Sequence, residues 1–420
     1  MKINVKRSWK INERFLLAVI ILIAVVVLIN PNQDLGSTTS LLNPESQGLF
    51  SFLEGPLDDI SNILTGAAIS VGSVEDDTPP PNEVDTSLAA SNLGIMAAPT
   101  ISNLVLNATD ANNKTNQNLT AYWSVSDGDG DTVKNITNWF VNGTSITVLN
   151  MPFENHSLAS TNATDYSGYG NNGTVIGATF NASGGYGGFG AYEFGGGSDM
   201  INLTTKPLDG IARGSVAAWV RFNTVGVTHY LFQSSENDGT DYIAMWMGGD
   251  GIFDFNLKRN NVNALTSITG LNVDTWYFIA GTWNSTNITL FLNGELNSSI
   301  ASNSNTSTLN SNLRSAIGRG TSAFDGTISS FQIFNRSLSP EQIRAIYNNR
   351  TDLIVSQETS VGENWSVEVT PNDGTEDGVS VMSSNITILS NTAPVVSNLV
   401  LNSTDVTLND TYQNLRLTGQ

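Results

Sequence analysis

Short runs that alternate between apolar and polar residues, broken by Gly- and Asn-rich turns, fill most of the chain beyond residue 98. Alternation at every second position sorts side chains onto the two faces of a strand, so these runs predict β-structure. Thr327–Phe334 (TISSFQIF) alternates cleanly and Ser215–Phe222 (SVAAWVRF) in part, while Trp276–Trp283 (WYFIAGTW) is apolar enough for the middle of a sheet. Ile288–Leu292 leads through Asn293-Gly294 into Glu295-Leu296. That is a hairpin, because Asn-Gly supplies the positive φ of a type I′ turn. One short helix closes this region, with Ser339 as cap, Pro340 first, Gln342 as capping-box partner, and Ile343, Ile346 and Tyr347 as its buried stripe.

The N-terminus breaks the pattern. Phe15–Ile29 is an unbroken apolar run of 15 residues, preceded by Lys2, Lys6, Arg7, Lys10 and Arg14 and stopped by Asn30-Pro31. As a helix it rises about 22 Å, against roughly 30 Å of bilayer hydrocarbon. It reads as a membrane anchor or the apolar part of a secretory signal, and no small-residue cleavage site follows it, which favours an anchor. The basic flank then stays inside and the rest of the chain is outside, as a single-pass protein of the cell membrane.

An internal repeat organises the remainder. Ala98–Asp110 returns as Ala393–Asp405 with ten of thirteen positions identical, about 295 residues later. The block 150–353 is self-contained, and subtracting it leaves about 90 residues, the size of an immunoglobulin-like sandwich. Early strands (Leu119–Val125, Ile136–Val141) lie before the block and late ones (Asn364–Val369, Val379–Ile388) after it. The expected architecture is therefore all-β: a jelly roll inserted into an immunoglobulin-like sandwich, behind one N-terminal transmembrane helix. The divisions are 1–14 basic flank, 15–30 helix, 31–97 stalk with Pro79-Pro80-Pro81, 98–149 first half-sandwich, 150–353 jelly roll, 354–392 second half-sandwich, and 393–420 the start of a further, truncated repeat.

Composition narrows the chemistry. Among 420 residues there are 18 Lys and Arg, 38 Asp and Glu, 2 His and no Cys, for a net charge of −20. Such a balance disfavours nucleic acid as a partner, because phosphate contact needs a basic footprint. Thiol chemistry is excluded, and a His-based triad has little to draw on. About twenty Asn-x-Ser/Thr triplets occur, all from Asn107 onward. Candidate glycosylation sites are Asn107, Asn118, Asn135, Asn142, Asn172, Asn202, Asn287, Asn335, Asn349, Asn364 and Asn385.

Three constellations invite chemistry. Asp127, Asp129 and Asp131 alternate with Gly like a calcium loop, but Thr132 and Asn138 stand where an EF-hand needs Gly and Glu. The alternatives are a cadherin-style calcium site, joined by Asp373, Glu376 and Asp377, and a set of hydrated acidic turns. Glu236 and Asp238, with Asp241 nearby, are the nearest approach to the paired carboxylates of a glycosidase, although Asn237 and Gly239 make this a hairpin tip. Tyr166, Tyr169, Tyr186 and Trp246 lie in or near Gly-rich turns, where rings stack on sugars or pack beneath loops.

The central block resembles the laminin-G-like, concanavalin A-like jelly rolls of secreted and cell-surface proteins. The matching text is Asp165–Thr174 (DYSGYGNNGT), Ala191–Phe194, Ala218–Val220, Thr275–Tyr277, Phe291–Gly294, Phe324–Ile328 and Asn335–Ile343. The flanks resemble immunoglobulin-like repeats of archaeal surface proteins, through Trp123–Asp131 and Thr370–Gly374. The first resemblance implies binding of glycans or surface proteins, adhesion, and often calcium, with Asp165 and Asn171 as possible ligands; the other reading of that pair is an Asx-turn opening a Gly-rich loop. The expectation is a non-catalytic adhesion or recognition protein, with a structural envelope component or a polysaccharide-processing enzyme as alternatives.

Overall fold

Two eight-stranded antiparallel sheets take up the centre of the computed structural model, which describes residues 97–110, 112–154, 159–236, 241–302, 309, 314–391, 395–403 and 415–418. Across the first sheet the strands run Glu295–Ala301, Asn287–Leu292, Trp276–Trp283, Gly214–Phe222, Asp325–Phe334, Ala191–Gly195 and Thr179–Asn181, with Thr147–Met151 also bonded to Asp325–Phe334. Across the second they run Val262–Ile268, Phe253–Arg259, Tyr242–Met247, His229–Ser235, Arg314–Ile317, Met200–Leu203, Gly173–Ile176 and Asn162–Ala163. Alternation sends Val216, Ala218, Val220 and Phe222 of the first sheet, and Phe232, Met245, Phe255 and Leu257 of the second, into one core between them. Burying each Val, Leu, Met or Phe among them contributes about 1.5–3 kcal/mol.

The imperfect alternation of Ser215–Phe222 has two causes. Its other face is also covered, since Ala217 belongs to a second apolar cluster. Opposite it, the register shifts between Trp219↔Ser330 and Val220↔Ile328, which leaves Ser329 as the extra residue of a bulge.

Segments on either side of this module build two further sheets. Thr100–Ala108, Leu119–Ser126 and Leu353–Ile354 form one; Val381–Met382, Asn364–Asn372, Lys134–Val141 and Thr144–Ser145 form the other, with Ile386–Thr387 also on Asn364–Asn372. Lys134–Val141 and Asn364–Asn372 pair from Asn372↔Lys134 to Trp365↔Val141, joining stretches that the whole jelly roll separates in sequence. Their cluster holds Leu106, Leu119, Trp139, Trp365 and Val367, and it continues into Ala217, Phe278, Ala280 and Phe291 of the first central sheet. Trp139 and Trp365 meet edge to face at 6.4 Å. Each buried indole finds an acceptor, the Thr351 carbonyl for Trp139 and Glu363 Oε2 for Trp365.

Pro340–Tyr347 (α1) is the α-helix among the described residues, and Ser339 Oγ accepts the Gln342 N–H as a cap should. The reciprocal partner differs from the expectation. Gln342 turns away to bond Leu353 O and Val355 N, and Glu358 Oε1 accepts the Ser339 N–H instead. A buried amide beside a strand has two backbone groups to satisfy, and those outcompete the local box.

The repeat is visible in the pairing. Val400–Ser403 bonds Leu415–Thr418 with Ser403↔Leu415 in register, as Ala108↔Leu119 is in the first copy. Thr147–Met151 straddles the expected 149/150 boundary and lies in the first central sheet. No helix among the described residues is long and apolar enough to cross a membrane. The apolar run Phe15–Ile29, its basic flank and the stalk up to residue 96 lie outside the described residues.

Candidate functional site

The second central sheet turns its outer face away from the core, and this face gathers rings and amides. Register places Tyr230 opposite Trp246, and Ala244 between Gln233 and Asn256. Tyr230 and Trp246 stack with centroids 5.6 Å apart and planes 25° apart. One step along, Tyr242 faces Lys258, whose ammonium lies 5.7 Å from the ring centre. Small Ala244 thus sits between two aromatic positions along its strand and two amides across it. Asn256 is 4% exposed, and both its Oδ1 and Gln233 Oε1 are buried acceptors with no hydrogen-bond partner among the described residues. Each unmet acceptor costs about 1–3 kcal/mol. Burial also pushes the Asp254 carboxyl up, against the pull of the Ser267 hydroxyl that bonds it.

The four aromatic candidates fall in three places and do not converge. Trp246 is on the face just described. Tyr166 donates its hydroxyl to Asp377 Oδ2 at 2.8 Å, tying the Gly-rich loop to the flank; burial above all, then the neighbouring carboxylate, pushes this phenol up. Tyr169, on the same loop, is 48% exposed. Tyr186 stacks on Trp219 of the first sheet at 3.4 Å and 9°.

The carboxylates organise backbone. Asp165 accepts from the N–H groups of Asn150, Ser167 and Asn171 and from the Ser167 hydroxyl, at 2.7–2.9 Å, while Asn171 Nδ2 donates to Val148 O. That is an Asx-turn extended into a loop clamp. Asp127 Oδ1 gathers the N–H groups of Asp129, Gly130 and Asp131. A hydrogen bond between the Asp127 and Asp129 side chains is the largest influence on both, lowering the first and raising the second. Asp373 Oδ1 binds Thr375 and Glu376 in the same manner. Among the described residues no group of three or more His, Cys, Asp or Glu is placed to hold a metal.

Glu236 and Asp241 face each other at a hairpin neck, with Glu236 N–H donating to Asp241 O, and Asp238 lies outside the described residues. Asp241 Oδ1 accepts the Asn260 N–H at 2.6 Å and lies near Arg259, whose guanidinium burial lowers to about 10 although Asp241 pulls it back up. Of the sequon residues, Asn107, Asn142, Asn172, Asn287, Asn349, Asn364 and Asn385 are exposed. Asn118, Asn135, Asn202 and Asn335 are half-buried, and Asn335 spends its Nδ2 on Ser145 O.

A groove of about 570 Å³ runs between the flank and the Gly187-Gly188-Phe189 turn, with Tyr122, Trp123 and Asp352 on one wall. On the other side Lys134 bonds Glu154 at 2.7 Å and lies 4.5 Å from the Phe189 ring centre. Burial raises the Glu154 carboxyl, and Lys134 offsets part of that rise.

Of the residues on this face, sequence reasoning named Trp246 and did not name Tyr230, Gln233 or Asn256. The signal available was their outward phase in strands whose alternate residues are apolar; which of them meet depends on register.

No curated relative matches the chain in sequence. Among solved structures, it is similar to the receptor binding domain of botulinum neurotoxin D (19% identity over 49% of this chain and 53% of that one, TM-score 0.39). Similar values hold for the binding domain of Paraclostridial Mosquitocidal Protein 1 (16% identity, 49% and 52% coverage, TM-score 0.39). The chain spans about half the length of these structures. Residues 195–344 match the family model Laminin_G_3, described as the concanavalin A-like lectin/glucanases superfamily. That match takes in most of the two-sheet module at the centre of this chain and the first residues of α1.

Proposed function

We propose that this is a non-catalytic recognition protein of the cell surface, tethered by Phe15–Ile29 and presenting its jelly roll on an immunoglobulin-like sandwich made from the two flanks. The ligand is carbohydrate. The observation that carries this reading is the outer face of the second sheet, where stacked Tyr230 and Trp246 adjoin the unmet acceptors of Gln233 and Asn256. Rings offer an apolar surface to a pyranose, and the side-chain amides of Gln233 and Asn256 lie beside them as polar groups. The matched superfamily includes lectins, which agrees with a binding role. Sequons at exposed positions such as Asn107, Asn287 and Asn385 suit a glycosylated exterior.

The test is a glycan-array screen of the exported chain, with and without calcium, beside Trp246→Ala. Retention of a defined glycan, lost by tenfold or more in the variant, is the expected outcome. Retention of nothing points to a structural envelope component. Sugar release that disappears in Glu236→Gln points to an enzyme.

A further inference from the structure

The first central sheet has an outer face of its own, and the flank covers only part of it. Ala217, Phe278 and Ala280 lie beneath the shared cluster. Further along the same strands, Arg221 and Trp276 are half-buried, and Tyr186 is 40% exposed. Register aligns Glu193, Thr327, Arg221 and Trp276 in one row across four strands. Arg221 lies over the Trp276 ring, 5.3 Å from its centre, and donates from Nη2 to Thr327 Oγ1 at 3.2 Å. Among the described residues its buried Nε has no acceptor and Arg221 forms no ion pair.

The chain has 38 acids against 18 Lys and Arg, yet none of the described acids pairs with Arg221. Two other partly buried cations have carboxylates beside them: Lys134 has Glu154 and Arg336 has Glu358. The acid in Arg221's own row is two strands away, about 10 Å at the usual strand spacing, and Glu193 Oε1 already accepts from Asn181 Nδ2. A guanidinium stacked on an indole presents a flat, preorganised fork, which matches a carboxylate better than a hydroxyl or a point cation does. Tyr186, edge-on to Trp276 at 6.3 Å, extends the aromatic floor.

We propose that this ledge binds a carboxylated sugar, a uronic acid unit of a polysaccharide, with its carboxylate on Arg221 and its ring against Trp276 and Tyr186. The site is separate from the Trp246 face, which belongs to the other central sheet.

Calorimetric titration of the full chain with oligogalacturonate, and with the same oligomer methyl-esterified, tests it. Binding of the acid, at least about tenfold weaker for the ester and weakening as salt rises, is expected. Arg221→Gln then loses tenfold or more, Arg221→Lys loses less because the charge remains, Tyr186→Ala weakens binding, and Trp246→Ala leaves it unchanged. Thermal melts identify any variant that fails to fold, and Tyr186→Ala, at an exposed ring, carries the test if Arg221→Gln is one. Failure of the acid to bind, equal affinity for acid and ester, or unaltered binding in a folded Arg221→Gln overturns the proposal. Loss in Trp246→Ala with none in Arg221→Gln assigns binding to the other face and overturns it as well.

Discussion

His229 is 2% exposed, with Nδ1 accepting the Asp325 N–H at 3.2 Å and its ring stacked on Phe324. Burial lowers its pKa below 6.5, and the Asp325 carboxylate and Thr224 backbone offset this only in part. The unfolded chain therefore takes up a proton more readily than the folded one. This ring's contribution to stability is full above the unfolded value of about 6.5 and is lost as pH falls through the depressed folded value. Urea midpoints measured from about pH 7.5 to about pH 5 should fall less in His229→Gln than in the wild type. Because the chain has 2 histidines, His156→Gln serves as control, and parallel curves for all three proteins would refute the assignment. Such details were not legible in the sequence. Trp246 was, as a ring near a Gly-rich turn. Gln233 and Asn256 were not, because what marks them is the lack of a partner, and partners come from register.

At the scale of elements, α1 was legible down to its cap, since Ser339-Pro340 is a local signal. Ser339→Ala should cost about 1 kcal/mol, read as a shift in the denaturant midpoint with an unchanged slope. A loss below roughly 0.3 kcal/mol would mean that the bond from Ser339 N–H to Glu358, which the variant keeps, dominates at this terminus. Glu358 was hidden from sequence reading because it lies beyond the helix, and only the folded chain brings it back. The alternation of Thr327–Phe334 was legible for the same reason as the cap. The bulge at Ser329 was not, since one extra residue is defined only against the strand it faces.

At the scale of the molecule, repeat arithmetic set the expectation that the module interrupts the flank. What sequence did not show is that they share a cluster, through Ala217, Phe278, Ala280 and Phe291. Two bodies with a common core should melt as one. Calorimetry on the chain is expected to give a single transition for this region, and Trp365→Ala, a fully buried indole in the flank, should lower it as a whole by about 3–5 kcal/mol. A split into two transitions, with only one moved, would show that the modules are energetically independent. The eight register pairs from Lys134↔Asn372 to Val141↔Trp365 also have a mechanical consequence. Tension arriving from the two ends of the chain enters this ladder at its Lys134–Asn372 end and peels it bond by bond. In sequence the jelly roll lies beyond the last rung. Along the backbone the pull reaches it only once Val141 and Trp365 part, although the bond from Tyr166 to Asp377 passes some of the load to its Gly-rich loop sooner.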